Sequence, residues 1–196
     1  MPTLVMMHGL TGTAEMIRPL AESLLAPKMC LILPQALIPH PNRGFAWWLR
    51  DAPPTDPLDD ASIQQVLDSV EMIVDLILRH APDDDIILGG FSQGAAMALE
   101  VMQHPSIRYS VKGLILISGK VLRYQNVAKH LQDYPVPAVW MHGNRDEMVP
   151  MHQGIEVYDV LNEAGCPLLD LRHEKGHMVD LSQKAKIVDW VSSVVV

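Results

Sequence analysis

The chain is short of cysteine, short of cationic side chains and without a long apolar run, and each shortage removes a class of protein. Its two cysteines, Cys30 and Cys166, form no CxxC motif in 196 residues. They cannot build a disulfide framework, which fits a reducing compartment. No uninterrupted apolar stretch approaches the ~18 residues of a bilayer span. The opening segment MPTLVMMHGLTG has neither a basic stretch nor a small-residue cleavage site. The sequence therefore reads as soluble, unexported and cytoplasmic. Fifteen lysines and arginines stand against 23 aspartates and glutamates, giving a formal net charge of −8. That balance repels phosphate backbones and anionic headgroups, so neither a nucleic acid nor an integral-membrane partner is expected. There is no internal repeat, low-complexity tract or Gly/Ser linker, and residues 1–196 are expected to form one domain.

What is present is a globular composition, 48% apolar and 19% charged. Short apolar runs alternate with segments of helical period, the pattern of an α/β fold with a mostly parallel sheet of about six to seven strands and helices on both faces. Strands are predicted at Leu4–Met7, Met29–Leu33, Ile86–Leu88, Leu114–Ile117, Ala138–Met141 and Leu168–Leu171. Most are continuously apolar, as strands covered on both faces are. Ile63, Val66, Leu67, Val70, Ile73, Val74, Ile77 and Leu78 place an apolar stripe along one long helix. Further helices are predicted from Pro19 to Leu25 with proline in the first turn, from Gln93 to Gln103, from Met151 to Ala164, and from Ser182 onward. The proline-rich stretch Pro34–Pro57 follows neither period and reads as one long loop. It carries Phe45, Trp47 and Trp48, which either line a site or cover the core.

Gly90-Phe91-Ser92-Gln93-Gly94 lies between a predicted strand and a predicted helix, the setting of a nucleophile elbow. Small residues two positions either side of Ser92 allow a tight turn, and the helix behind it offers N–H groups where negative charge develops. A serine hydroxyl needs an imidazole to take its proton and a carboxylate to orient that imidazole. Asp146, with Glu147 as its neighbour and rival, follows the predicted strand Ala138–Met141. His177, in Gly176-His177-Met178, precedes the last helix and is the best placed of nine histidines. Two oxyanion donors are expected: the backbone N–H of Gln93, and one from His8-Gly9-Leu10-Thr11-Gly12, with Leu10 preferred and Gly9 or Thr11 as alternatives. His8 is expected to brace that loop. No zinc-binding motif is seen, and neither a metal nor another cofactor is expected.

Met7-His8-Gly9-Leu10, Leu33-Pro34-Gln35-Ala36, Gly90-Phe91-Ser92-Gln93-Gly94, the acid loop His142 to Pro150, and Gly176-His177 together resemble the phospholipase/carboxylesterase family of α/β-hydrolases, which includes the acyl-protein thioesterases. The resemblance spans nearly the whole chain. It implies an α/β-hydrolase fold, Ser92 as nucleophile, Asp146 as acid, His177 as base, and Leu10 and Gln93 as oxyanion donors. Ala46-Trp47-Trp48 is similar to a family segment that would set Trp47 at the acyl pocket. Trp48 and the loop Gly119–Pro135 are expected to join it there. The sequence departs from the family in Thr11-Gly12-Thr13, where an aspartate is usual, and in Phe45, where an arginine is usual.

The activity so implied is hydrolysis of short- to medium-chain carboxylic esters, with no large lid over the site. The alternatives are an acyl-protein thioesterase or lysophospholipase and, in a different class, a non-catalytic ligand-binding module on the same fold. Exposed sheet edges and an apolar terminal helix would allow a homodimer.

Overall fold

The computed structural model describes residues 1–50, 53 and 56–195; Asp51, Ala52, Pro54 and Thr55 of the anticipated 34–57 loop, and Val196, lie outside the described residues. The chain runs β1 (Thr3–Met7), α1 (Ala14–Ser23), β2 (Cys30–Ile32), β3 (Ile38–Pro39), β4 (Phe45–Ala46), α2 (Asp60–His80), β5 (Ile86–Phe91), α3 (Gln93–Val101), β6 (Val111–Ile117), α4 (Tyr124–Asp133), β7 (Ala138–Met141), α5 (Met151–Glu163), β8 (Leu168–Asp170) and α6 (Lys184–Val194). Six strands form one sheet in the order β2-β1-β5-β6-β7-β8. Every neighbouring pair in it is parallel. It is an α/β-hydrolase-type sheet, and its six strands coincide with the six apolar runs of the sequence to within a few residues.

Alternation along the strands divides the core in two. On one face Leu4, Met6, Ile87, Ile115 and Met141 pack with Ile17 and Ala21 of α1 and Ile187 and Val191 of α6. On the other, Val5, Met7, Leu88, Leu116 and Trp140 pack against α2, α3, α4 and α5. Leu4, Val5, Met6 and Met7 are all 0% exposed, which is why β1 is apolar without alternation. Burying such a side chain stabilises the fold by roughly 1.5–3 kcal/mol.

The order reverses at β1: the chain steps outward to β2, then returns to β1's other side with β5. In open parallel sheets a crevice forms at the carboxyl ends of the strands on either side of such a reversal. The loop after β1 and the turn after β5 therefore meet.

Three local expectations are corrected. Helix α1 begins at Ala14, capped by the Thr13 side chain accepting from the Met16 N–H, so Pro19 lies inside the helix rather than in its first turn. The cap, not the proline, sets the start. The segment Gly119–Pro135 is not one loop, since Tyr124–Asp133 is helical. Val127 and Leu131 are buried, and Tyr124 and Ala128 pack partly against the same core, an i, i+3, i+4, i+7 stripe that is present in the sequence and that the expectation of a loop overlooked. Within the 34–57 stretch, β3 and β4 pair antiparallel, Ile38 opposite Ala46 and Pro39 opposite Phe45.

Candidate active site

Strand β5 turns into α3 through Ser92, whose φ of 57° and ψ of −117° are an uncommon, strained conformation for a residue with a side chain. The glycines around it are required by contact. A Cβ on Gly90 would lie 2.2 Å from the Gly94 carbonyl carbon, and one on Gly94 would lie 2.1 Å from the Met7 carbonyl oxygen. The elbow is thus pressed against the end of β1, and its own N–H donates to the Ile117 carbonyl at 2.9 Å.

Three side chains from three loops converge there. The Ser92 Oγ is 3.0 Å from His177 Nε2, and His177 Nδ1 is 2.7 Å from Asp146 Oδ2. Because a carboxylate only accepts, Nδ1 carries the proton and Nε2 accepts from the serine hydroxyl. Asp146 Oδ1 accepts from the N–H groups of Met148 (2.9 Å) and Val149 (2.8 Å), so each oxygen has a fixed task. Glu147, the rival carboxylate, is exposed. The acid and base loops are zipped together: Asn144 N–H donates to His173 O (2.7 Å) and Arg145 N–H to Lys175 O (3.1 Å). Beside His177, Lys175 Nζ meets Asp180 Oδ1 at 2.6 Å and holds that carboxyl well below the usual carboxylate range.

Two histidines support this framework from beneath. His142 is fully buried, donates from Nε2 to the Val149 carbonyl (2.9 Å), and is driven toward its neutral form by burial. His8 is buried as well, with its pKa lowered by desolvation; its Nε2 accepts from the Ala36 N–H at 3.2 Å.

The N–H groups of Leu10 and Gln93 have no acceptor among the described residues, whereas that of Thr11 donates to Phe45 O at 2.9 Å. Thr11 therefore drops out as an oxyanion donor. Its bond, with Phe45 N–H donating to Gly12 O at 3.1 Å, staples the β3–β4 hairpin to the loop after β1.

A cavity of about 350 Å³ opens beside Ser92 and His177, lined in part by Leu10, Trp48, Leu49, Phe91, Ala96 and Met148. Trp48 is at the cavity as anticipated. Trp47 is not: it is fully buried, its ring stacks on His8 at 4.9 Å, and its Nε1 donates to the His8 carbonyl at 2.8 Å. Both tryptophans lie in a bend just after β4 and both are buried in the core, but only Trp48 also borders the cavity. Of the 119–135 segment only Lys120 reaches the cavity wall, because the rest turns away as α4.

Sequence reasoning also missed the Gln93 side chain. Its Oε1 accepts from Trp47 N–H and its Nε2 donates to Trp48 O, both at 3.0 Å, tying the tryptophan segment to the elbow. The signal was the elbow motif itself, which was read only for its backbone.

Residues 1–191 match the model of the phospholipase/carboxylesterase family. Acyl-protein thioesterase 1 of Cryptococcus neoformans var. neoformans is 30% identical over 184 residues, covering 85% of this chain and 76% of the relative. Among solved structures, Zea mays acyl-protein thioesterase 2 superposes with a TM-score of 0.78 at 22% identity, covering 100% of this chain and 94% of its own. The carboxylesterase of Mesorhizobium loti gives 0.77 at 22% identity, covering 97% and 88%. Among the described residues, no helix is long and apolar enough to cross a membrane.

Proposed function

Since the chain belongs to the phospholipase/carboxylesterase family of serine hydrolases, we propose that it hydrolyses short- to medium-chain carboxylic esters through an acyl-Ser92 intermediate. The observation that carries this reading is the continuous relay from the Ser92 hydroxyl to His177 (3.0 Å) and on to Asp146 (2.7 Å), opening on a cavity. His177 Nε2 takes the serine proton as Oγ attacks the ester carbonyl, then gives it to the departing alcohol. Water, activated by the same nitrogen, attacks the acyl-enzyme and releases the acid and Ser92. Asp146 stabilises the imidazolium of both halves, and the Leu10 and Gln93 N–H groups hold the oxyanion. A volume near 350 Å³ sits at the small end of ligand cavities, which favours short and medium acyl chains over long ones.

Labelling by a fluorophosphonate probe tests the reading. The native chain should label and Ser92→Ala should not. Loss of Ser92 or His177 should lower ester hydrolysis by about 10³-fold or more. Labelling that survives Ser92→Ala removes the assignment. A second reading, thioester hydrolysis, is favoured by the likeness to acyl-protein thioesterase 1 over most of the chain. Comparing kcat/KM for a butyryl thioester and the matching oxyester decides between them.

A further inference from the structure

The proton relay leaves the side chain of Phe91 without a task, although Phe91 ends β5 immediately before Ser92. Its ring lies 4.9 Å from that of His177, centroid to centroid, with the two planes inclined at 45°. The same ring abuts the loop after β1: a Cβ on Gly9 would fall 3.0 Å from Phe91 Cδ1. The side chain is half-buried, packs against the core on the α1 and α6 face of the sheet, and borders the cavity. Core packing and Gly9 together keep the ring from receding, so its approach to the imidazole is a fixed feature of the site.

The charge on His177 changes during the reaction. In the resting site Nε2 accepts from the serine hydroxyl; the ring is an imidazolium once Oγ has attacked, and again once water has attacked the acyl-enzyme. Asp146 meets that charge at Nδ1, 2.7 Å away. His142, whose Nε2 lies 3.7 Å from the same Asp146 oxygen, is driven toward its neutral form by burial and opposes the charge little. An aromatic face attracts a cation within about 6 Å of its centroid and acts far less on a neutral ring. The contact with Phe91 therefore strengthens as the proton arrives. An interaction that is stronger in the transition state than in the ground state raises the rate rather than tightening substrate binding.

Resting on the esterase reading, we infer that Phe91 is a positioning residue that acts through His177, its π face stabilising the imidazolium that forms each time the base takes a proton. The elbow motif then supplies part of the charge stabilisation as well as the nucleophile.

A near-isosteric series tests this. Site-specific replacement of Phe91 by 4-fluoro-, 3,5-difluoro- and 3,4,5-trifluorophenylalanine keeps the shape of the ring while draining negative charge from its face. With 4-nitrophenyl butyrate as substrate, kcat should fall stepwise with each added fluorine while KM changes little. The fall over the series should be about two- to thirtyfold, the span of a cation–π contact from exposed to desolvated. Phe91→Leu, which fills the space without a π face, should be as slow as the trifluoro variant; should it fail to fold, the series alone decides. A ring that only packs would give the same kcat throughout the series, even with a slow Phe91→Leu. A kcat that stays level or rises with added fluorine overturns the proposal, as does a folded Phe91→Leu as fast as the native chain, and either result leaves the esterase reading standing. A native chain that turns over no butyrate ester removes both.

Discussion

His8 Nδ1 donates to the carbonyl oxygen of Gly9 at 2.8 Å, and the Gly12 N–H donates to the same oxygen at 3.0 Å. That carbonyl is therefore drawn toward the protein interior. In a trans peptide the N–H points opposite to the C=O, so the Leu10 N–H is turned the other way, toward the cavity that Leu10 lines. His8, which lies outside the Ser92–His177–Asp146 relay, thus orients the N–H proposed as an oxyanion donor.

His8→Ala should consequently lower kcat by about tenfold to a hundredfold with little change in KM, somewhat less than deletion of an oxyanion donor. Steady-state kinetics on a butyrate aryl ester would check this. An equal loss in KM and none in kcat would mean that the histidine shapes the pocket instead.

Gln93→Ala should act on stability as well as rate. It would leave the Trp47 N–H and the Trp48 carbonyl, both on buried residues, without their partners. Each unsatisfied group costs about 1–3 kcal/mol, so a loss of about 2–4 kcal/mol is expected in urea unfolding. Gln93→Glu keeps the acceptor for Trp47 but loses the donor to Trp48, and should fall between the two.

The strain at Ser92 separates stability from activity. Its left-handed φ of 57° costs on the order of 1–3 kcal/mol for a residue with a side chain, and glycine avoids it at an entropic cost of about 0.5–1 kcal/mol. Ser92→Gly should therefore be about 1 kcal/mol more stable than Ser92→Ala, with both inactive. Equal melting temperatures would show that the turn is not under strain.

How far the sequence foretold this molecule depends on the range of the forces involved. Strands β1, β5, β6 and β7 were legible because burial on both faces makes them continuously apolar. Ser92, Asp146 and His177 were legible as a group because the chemistry demands those residue types, and a parallel sheet delivers them at strand ends in that order. Helix α4 goes unrecognised although Tyr124, Val127, Ala128 and Leu131 carry a helical stripe, because the expectation of a loop at the pocket overrides it. Nor was the fate of the two tryptophans legible: both are buried, nothing in Ala46-Trp47-Trp48 says which ring also reaches the cavity, and the contacts that fix them come from Gln93 and His8, distant in sequence. The bracing role of His142 belongs to the same class, because it depends on a carbonyl whose direction only the folded chain defines, whereas a bracing role for His8 was expected from the sequence.

The buried histidines predict how stability varies with pH. Desolvation lowers His8, His130, His142 and His173 below the ordinary value near 6.5. In the window between those depressed values and 6.5 the unfolded chain binds protons that the folded chain does not. Stability then rises with pH across that window, is fully present above 6.5, and is lost as acid forces the imidazoles to charge in place. The melting temperature should fall steadily from pH 7 toward pH 5. The descent should be shallower in His142→Gln, which removes one of the four groups, even though that variant starts from a lower melting temperature because Val149 loses its partner. A slope unaltered by that substitution would assign the acid sensitivity to groups other than the histidine beneath the acid loop.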